Sequence, residues 1–519
     1  MYWADKIASE IIKSGKHKPF WVDDMKTPSG RMHVGSLRGV IIHDLIYKAL
    51  LAKGQKVTFS YVFDDHDPMD SLPVYLDRKK YLPHMGKPLN TVPSPVSGFS
   101  SFAEYYAKEF KKVFNSLGAE PNIIWASNLY KTGKMDAEIR TVLDKADVIR
   151  DIYKELYGKP QPSDWYPFQV ICPNCGKVGT TQVNGWDGKE VSFKCLPDLV
   201  SWAKGCRHEG KTSPFAGRGK IPWKVEWGCK WKVIGVTVEG AGKDHMGSGG
   251  SHDVARRVCE RVLKYPVPYP FAHEFFLIEG KKMASSKGRG VSAKEVSEII
   301  PPYLLRFLIA RIKFSRAIDF DPSGWTIPEL FDEYDRSAAV FWQDGEKKDL
   351  GKIFVMSQPS GKPPIKKYLA RFRDLAQVAQ MSNIESVDYF KNKKGTKLTK
   401  DEVNDLDERM KYVKIWLEGY APRDAVFKVS DKFPKEAKKL TGEQKKYLGK
   451  LASLVAKTKS AEELEKEMYL LAKSLNLSTK DAFTAVYLVL LGKPHGPKAA
   501  WLVMGEKEKS SKRFKEVAK

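Results

Sequence analysis

The chain has 519 residues, 42% of them hydrophobic and 12% aromatic, which is ample for several folded units of ordinary size. No window approaches the ~18 consecutive apolar residues of a membrane span, and the amphipathic start, residues 1–15, lacks the pattern of a signal peptide; a cytoplasmic protein is expected. The net charge is +25, and residues 351–519 hold 36 Lys and Arg against 21 Asp and Glu, compared with 52 against 42 in residues 1–350. A basic excess concentrated in the last third suits a polyanion such as nucleic acid.

In chain order, residues 20–23 read as a short strand, broken at Thr27-Pro28-Ser29-Gly30. Leu37, Val40, Ile41, Leu45 and Ala49 then recur at helical spacing. Val57–Phe63 is the next expected strand, with Asp64, Asp65, Asp67 and Asp70 clustered at its end. Residues 100–117 read as helix, 122–125 as strand and 135–157 as helix again. Such alternation predicts a parallel, doubly wound sheet that binds its ligands at the C-terminal strand ends. From 160 to 222 Pro, Gly and Cys dominate; strands are then expected at 232–238 and 271–278, with a helix at 248–264 between them. Beyond about 330 the pattern is Lys/Glu-rich and helical, notably at 405–420, 442–456, 461–475 and 480–491, mostly after a Pro- and Lys-rich connector at 356–367.

Three groups carry chemistry. Pro28-Ser29-Gly30-Arg31-Met32-His33-Val34-Gly35-Ser36 lies between strand and helix. Glycines there let the backbone approach a nucleotide, and a helix N-terminus offers N–H groups to phosphate. Gly280-Lys281-Lys282-Met283-Ala284-Ser285-Ser286-Lys287-Gly288 follows the last expected strand, and its flanking lysines suit the β- and γ-phosphates of ATP. Read singly, each is as readily a plain turn or a solvated basic loop; both in one α/β domain are far harder to obtain by accident. The third group is Cys172, Cys175, Cys195 and Cys206, opened by Cys-Pro-Asn-Cys-Gly. Four thiolates close a tetrahedral structural zinc site, although His208 could stand in for Cys195 or Cys206. Cys229 and Cys259 lie among apolar neighbours and read as core.

The first two groups resemble the paired signatures of class I aminoacyl-tRNA synthetases, in the form His33-Val34-Gly35-Ser36 and Lys282-Met283-Ala284-Ser285-Ser286-Lys287. The stretches 27–35, 64–67 and 225–227, with Gly242-Lys243-Asp244-His245, look like the class I lysyl-tRNA synthetase family. That resemblance implies a Rossmann-type catalytic domain in two halves, 1–160 and 223–330. A zinc-bearing insertion at 161–222 splits it, and connecting helices with an all-α anticodon-binding domain follow at 331–519. It also implies activation of lysine with Mg2+-bound ATP and transfer to tRNA(Lys), with a monomer favoured.

Under it His33, Lys282 and Lys287 are the catalytic groups. Ser29, Gly30, Gly35, Ser36, Ser285 and Ser286 complete the ATP site. Asp24, Thr27, Asp65, Trp227, Asp244 and His245 form the amino-acid pocket, with Asp24 or Asp65 as acceptor for a substrate ammonium. Departures are Ser36 and Ala284 within the signatures, and Met25 and His273 where Gly and Tyr are expected. The stretch 93–106 has neither Cys nor His, so no metal is expected there. A glutamate-type synthetase, a nucleotidyltransferase of the same superfamily and a non-catalytic tRNA-binding paralogue remain as alternatives.

Overall fold

The computed structural model describes residues 1–278, 280, 291–381 and 385–519. It divides into two units, residues 1–321 with 337–363, and residues 322–336 with 364–519. Among the described residues no helix is long and apolar enough to cross a membrane.

The first unit is built on a five-stranded parallel sheet. Its strands are β1 (Phe20–Lys26), β2 (Val57–Phe63), β3 (Asn122–Trp125), β9 (Val238–Gly242) and β10 (Tyr269–His273), in the order β10-β9-β1-β2-β3. The chain runs outward from β1 to β3 and returns on the other side with β9 and β10. The order therefore reverses beside β1, and the crevice above the C-terminal ends of β1 and β9 is where such a sheet binds ligands. The helix Val34–Ala52 is buried on the sheet through apolar residues including Leu37, Val40, Ile41 and Leu45, all fully buried. Between the halves lie β4 (Gln169–Val170), β5 (Thr181–Trp186), β6 (Val191–Cys195), β7 (Glu209–Thr212) and β8 (Gly219–Lys220). Antiparallel pairing of β4 with β8 closes the base of this excursion, and β5-β6-β7 form its antiparallel sheet. A small parallel pair, β11 (Phe276–Leu277) and β12 (Ile318–Asp319), follows β10.

Three expected elements are corrected. Residues 232–234 end a helix, Trp223–Ile234, and the strand starts only at Val238. Trp223, Trp227 and Trp231 recur every four residues, a helical spacing, and Gly235 at φ 89° terminates the helix in the left-handed region that favours glycine. The expected strand at 271–278 is two strands, because the main chain turns aside at Glu274 and Phe275. Similarly, residues 135–157 form two helices, Asp136–Asp144 and Ala146–Tyr157.

In the second unit the described residues contain no strand. Side-chain caps start several of its helices, among them Thr399 with Glu402 before Lys400–Gly419, and Thr441 with Gln444 before Gly442–Lys457. Each pair satisfies orphan N–H groups reciprocally. Tyr447, Leu451, Val455, Leu464, Met468, Val486 and Phe514 form its core. Trp416 and Trp501 are also buried, at 1% and 7% exposure, which makes them packing residues rather than surface stacking platforms.

Candidate active site

The chain leaves β1 through Thr27 and turns at Gly30, whose φ of 149° suits glycine alone. Arg31 is pinned by Tyr75, whose hydroxyl accepts the Arg31 N–H at 2.6 Å and whose ring lies 4.5 Å from the guanidinium. His33 caps the next helix, its Nδ1 accepting from the Ser36 N–H at 3.2 Å. With Nδ1 an acceptor, the proton of the neutral imidazole sits on Nε2. A Cβ at position 35 would lie 2.8 Å from that Nδ1, so Gly35 is required by the histidine's placement. Ser36 Oγ is buried without a partner among the described residues, although the residue as a whole is only half-buried.

Lys282, Ser285, Ser286 and Lys287 lie outside the described residues, but both flanks of their segment are placed. On the near side Gly280 N–H donates to Asp319 Oδ1 at 3.0 Å. On the far side Ser292 forms an antiparallel bridge with His33, the Val34 N–H donates to Val291 O at 3.4 Å, and Ala293 N–H donates to Met32 O at 2.8 Å. The chain that resumes at Val291 after the second motif therefore lies directly against the first motif.

Deeper in the crevice, Asp24 projects from β1. Its Oδ1 accepts the Met25 N–H at 2.9 Å and its Oδ2 lies 3.8 Å from His43 Nδ1. His43 is no counter-ion: it donates to Gly39 O at 2.8 Å, accepts from Gly240 N at 3.0 Å, and is pushed down to about 4 by burial. Burial likewise pushes Asp24 up to about 7. Among the described residues no other basic side chain reaches it within 4 Å. Glycines open the space beside it. A Cβ at Gly39 would meet Asp24 Oδ2 at 3.1 Å and His273 Nε2 at 3.7 Å, and one at Gly242 would meet Asp244 Oδ1 at 2.7 Å. His273 is held neutral, pushed down to about 3 chiefly by burial.

The short helix Lys243–Met246 after β9 carries Asp244 and His245. The His245 ring meets Trp223 at 5.7 Å and Trp227 at 6.2 Å, both edge-on, and His252 meets Trp227 at 6.0 Å. Trp227 is oriented by its indole N–H, which donates to Glu239 Oε1 at 3.0 Å, while Trp231 donates to the other oxygen. The structure thus brings Asp24, Trp227, Asp244 and His245 to the sheet's switch point.

Asp65 does not join them. Both of its oxygens are taken by Ser127, from the backbone N–H at 2.8 Å and the hydroxyl at 2.6 Å, so it is unavailable to a substrate ammonium. Thr27 is also committed, donating to Asp67 Oδ2 at 2.6 Å. The remaining acidic residues after β2 reveal a network that the sequence reading missed. Lys220 joins Asp67 to Glu226, Lys230 joins Asp64 to Glu226, and Tyr130 donates to Glu226 at 2.5 Å. The two buried ammonium groups hold Glu226 and Asp67 below the usual carboxylate range, against the opposing effect of burial. Lysines in the Trp-rich stretch 220–231 were the available signal, since a buried lysine demands a carboxylate partner.

The cysteines resolve the ligand ambiguity. Sγ atoms of Cys172, Cys175, Cys195 and Cys206 all lie within 4.8 Å of one another, whereas His208 is outside the group and packs on Phe193 at 5.8 Å. Cys172 and Cys206 are 3.6 Å apart, Cys175 and Cys195 3.7 Å. Four sulfurs at ~2.3 Å from a tetrahedral zinc would be about 3.8 Å apart, so the donor set fits that ion and is too open for disulfides. Among the described residues no other such group of His, Cys, Asp or Glu occurs, the acidic cluster included. Cys229 and Cys259 are fully buried core residues.

The family model described as tRNA synthetases class I (K) matches residues 1–360. The chain is 34% identical to the lysine–tRNA ligase of Methanosarcina barkeri, over 100% of this chain and 98% of that protein. It is 35% identical to lysine–tRNA ligase 1 of Methanosarcina acetivorans with the same coverage. The lysine–tRNA ligase of Archaeoglobus fulgidus is 30% identical over 97% of each chain.

Proposed function

The chain belongs to the class I (K) tRNA synthetases, and from that membership we infer that it is a lysine–tRNA ligase acting on lysine, ATP and tRNA(Lys). Lysine's carboxylate oxygen attacks the α-phosphorus of ATP, the bond to the bridging oxygen breaks, and pyrophosphate departs with the Mg2+ that ATP carries. The terminal ribose hydroxyl of tRNA then attacks the lysyl carbonyl and releases AMP. No covalent enzyme intermediate is formed, so the protein contributes positioning and charge stabilisation.

The roles of individual residues are our reading. His33 donates from Nε2 to the α-phosphate, and Gly30, Gly35 and Ser29 let the nucleotide approach. Ser36 offers its hydroxyl, Lys282 and Lys287 balance the departing pyrophosphate, and Ser285 and Ser286 belong to the same loop. Asp24 is the carboxylate for a substrate ammonium, Trp227 and His245 flank the methylene stem, and Asp244 closes the pocket floor. Cys172, Cys175, Cys195 and Cys206 would hold a structural zinc, which would supply folding energy to the excursion between the halves of the sheet. The helical second unit is the anticodon-binding domain, and the enzyme works as a cytoplasmic monomer.

One observation supports this reading: the chain that resumes after the second motif is bridged, at Ser292, to His33 of the first. Its test is charging of tRNA with labelled lysine and glutamate in parallel. Lysine alone should be transferred; glutamate transfer without lysine transfer would overturn it.

A further inference from the structure

Arg38 lies two residues beyond Ser36 and is 1% exposed. Main-chain carbonyls surround its guanidinium. Nη1 donates to Glu274 O at 2.7 Å and Phe275 O at 2.6 Å, and Nη2 to Phe314 O at 3.3 Å, Lys313 O at 3.5 Å and Arg316 O. Burying an unpaired guanidinium is costly, and an apolar side chain of similar volume would fill the space more cheaply. What arginine adds is a rigid planar fork that fixes several acceptors at once.

Those acceptors are significant in the chain. Glu274 and Phe275 are where β10 stops and β11 begins, just before the segment that carries Lys282 and Lys287. The rest of that lead-in is tied as well: Glu274 N–H to Phe314 O at 2.9 Å, Ile318 N–H to Phe275 O at 3.0 Å and Phe320 N–H to Leu277 O at 3.1 Å. Exposed Asp319 then takes Gly280 N–H. The far flank, Val291 and Ser292, is tied to Val34 and His33. One helix, Val34–Ala52, therefore holds the exit of the second motif at its N-terminus and the entrance through Arg38.

We propose that Arg38 and Asp319 are positioning residues for the activation step, fixing the lead-in to the second motif, Glu274 to Gly280, relative to the helix that His33 caps. The proposal rests on the lysine–tRNA ligase reading. Neither residue touches substrate; each acts on ATP chemistry through the placement of the second motif. Lysine binding, centred on Asp24 and His245, is left alone.

The test is steady-state ATP–pyrophosphate exchange by the full chain with tRNA present, comparing the parent with Arg38→Lys, Asp319→Ala and Arg306→Lys. Arg306 is equally buried and ties Met356 O, Leu117 O and, further along the same helix, Asp44, but no residue of the lead-in to the second motif, and so controls for loss of a buried fork. Arg38→Lys should lower kcat about 10- to 100-fold and raise KM for ATP, with KM for lysine within twofold. Asp319→Ala should move kcat and KM for ATP in the same direction by less. Arg306→Lys should lower the melting temperature and leave the kinetics of the folded fraction unchanged. The proposal is overturned if Arg38→Lys behaves like Arg306→Lys, or if both KM values rise together. Should Arg38→Lys not fold, Asp319→Ala decides alone, and unchanged ATP kinetics there refute the proposal. A parent enzyme without lysine-dependent exchange sinks the ligase reading and this inference with it; an active parent with unaltered variants sinks only this inference.

Discussion

Replacing Asp24 by asparagine should stabilise the free protein and cripple lysine activation. Burial raises the Asp24 carboxyl from its ordinary 3.8 to about 7, and the neutral His43 beside it supplies no charge. A carboxyl whose folded value is raised binds its proton more tightly in the native state. Its ionisation therefore costs nothing below about pH 4, costs progressively more up to pH 7, and costs the full amount above. At about 1.4 kcal/mol per pH unit the full cost is roughly 4–5 kcal/mol, an upper figure because the side chain keeps 15% exposure. The uncharged asparagine amide carries no such cost. Denaturant unfolding at pH 8 and pH 4 should show Asp24→Asn gaining up to a few kcal/mol at pH 8 and almost nothing at pH 4. Lysine should raise the melting temperature of the parent more than that of the variant, because its ammonium relieves the buried charge. For the parent, KM for lysine should rise roughly tenfold from pH 8 to pH 6 as Asp24 protonates, and Asp24→Asn should lose that dependence. Equal stabilisation at both pH values, or an unaltered KM for lysine in Asp24→Asn, would refute the assignment.

His33→Ala should lower the activation rate ~10²–10³-fold, the usual cost of one donor to developing charge, with tRNA affinity measured by filter binding nearly unchanged. Gly35→Ala should mimic it, since the new methyl would meet the His33 ring at 2.8 Å; normal exchange kinetics would contradict that geometry. Metal analysis should find one zinc per chain, lost in Cys175→Ser and retained in Cys259→Ser. A chain ending at Pro363 should keep some adenylate formation but lose most tRNA charging and anticodon discrimination, checked by aminoacylating anticodon-altered tRNAs.

Much of the architecture was legible because it rests on local periodicity. Val57–Phe63 and Asn122–Trp125 stand where the apolar runs placed them, and so do the helices starting at Gly442 and Ala461. The misreadings have physical causes. Residues 232–238 are apolar enough for a strand, but the four-residue tryptophan spacing upstream carries a helix through Ile234. At the break the Glu274 carbonyl accepts from Arg38, more than 230 residues earlier, a contact that no local pattern announces. Site residues divide in the same way. His33, Gly35 and the cysteines follow from motif spacing, whereas the choice between Asp24 and Asp65 depends on Ser127, a partner from another strand end. The pairing of Lys220 and Lys230 with Asp67 and Asp64 likewise joins segments about 150 residues apart. In the second unit Trp416 and Trp501 proved to be core, so its basic surface and not those rings carries the case for RNA.

The central claim is tested most directly by ATP–pyrophosphate exchange with each of the twenty amino acids in turn, tRNA present throughout. The account predicts exchange with lysine and background rates with the other nineteen. Exchange with glutamate or any other amino acid in place of lysine would contradict it.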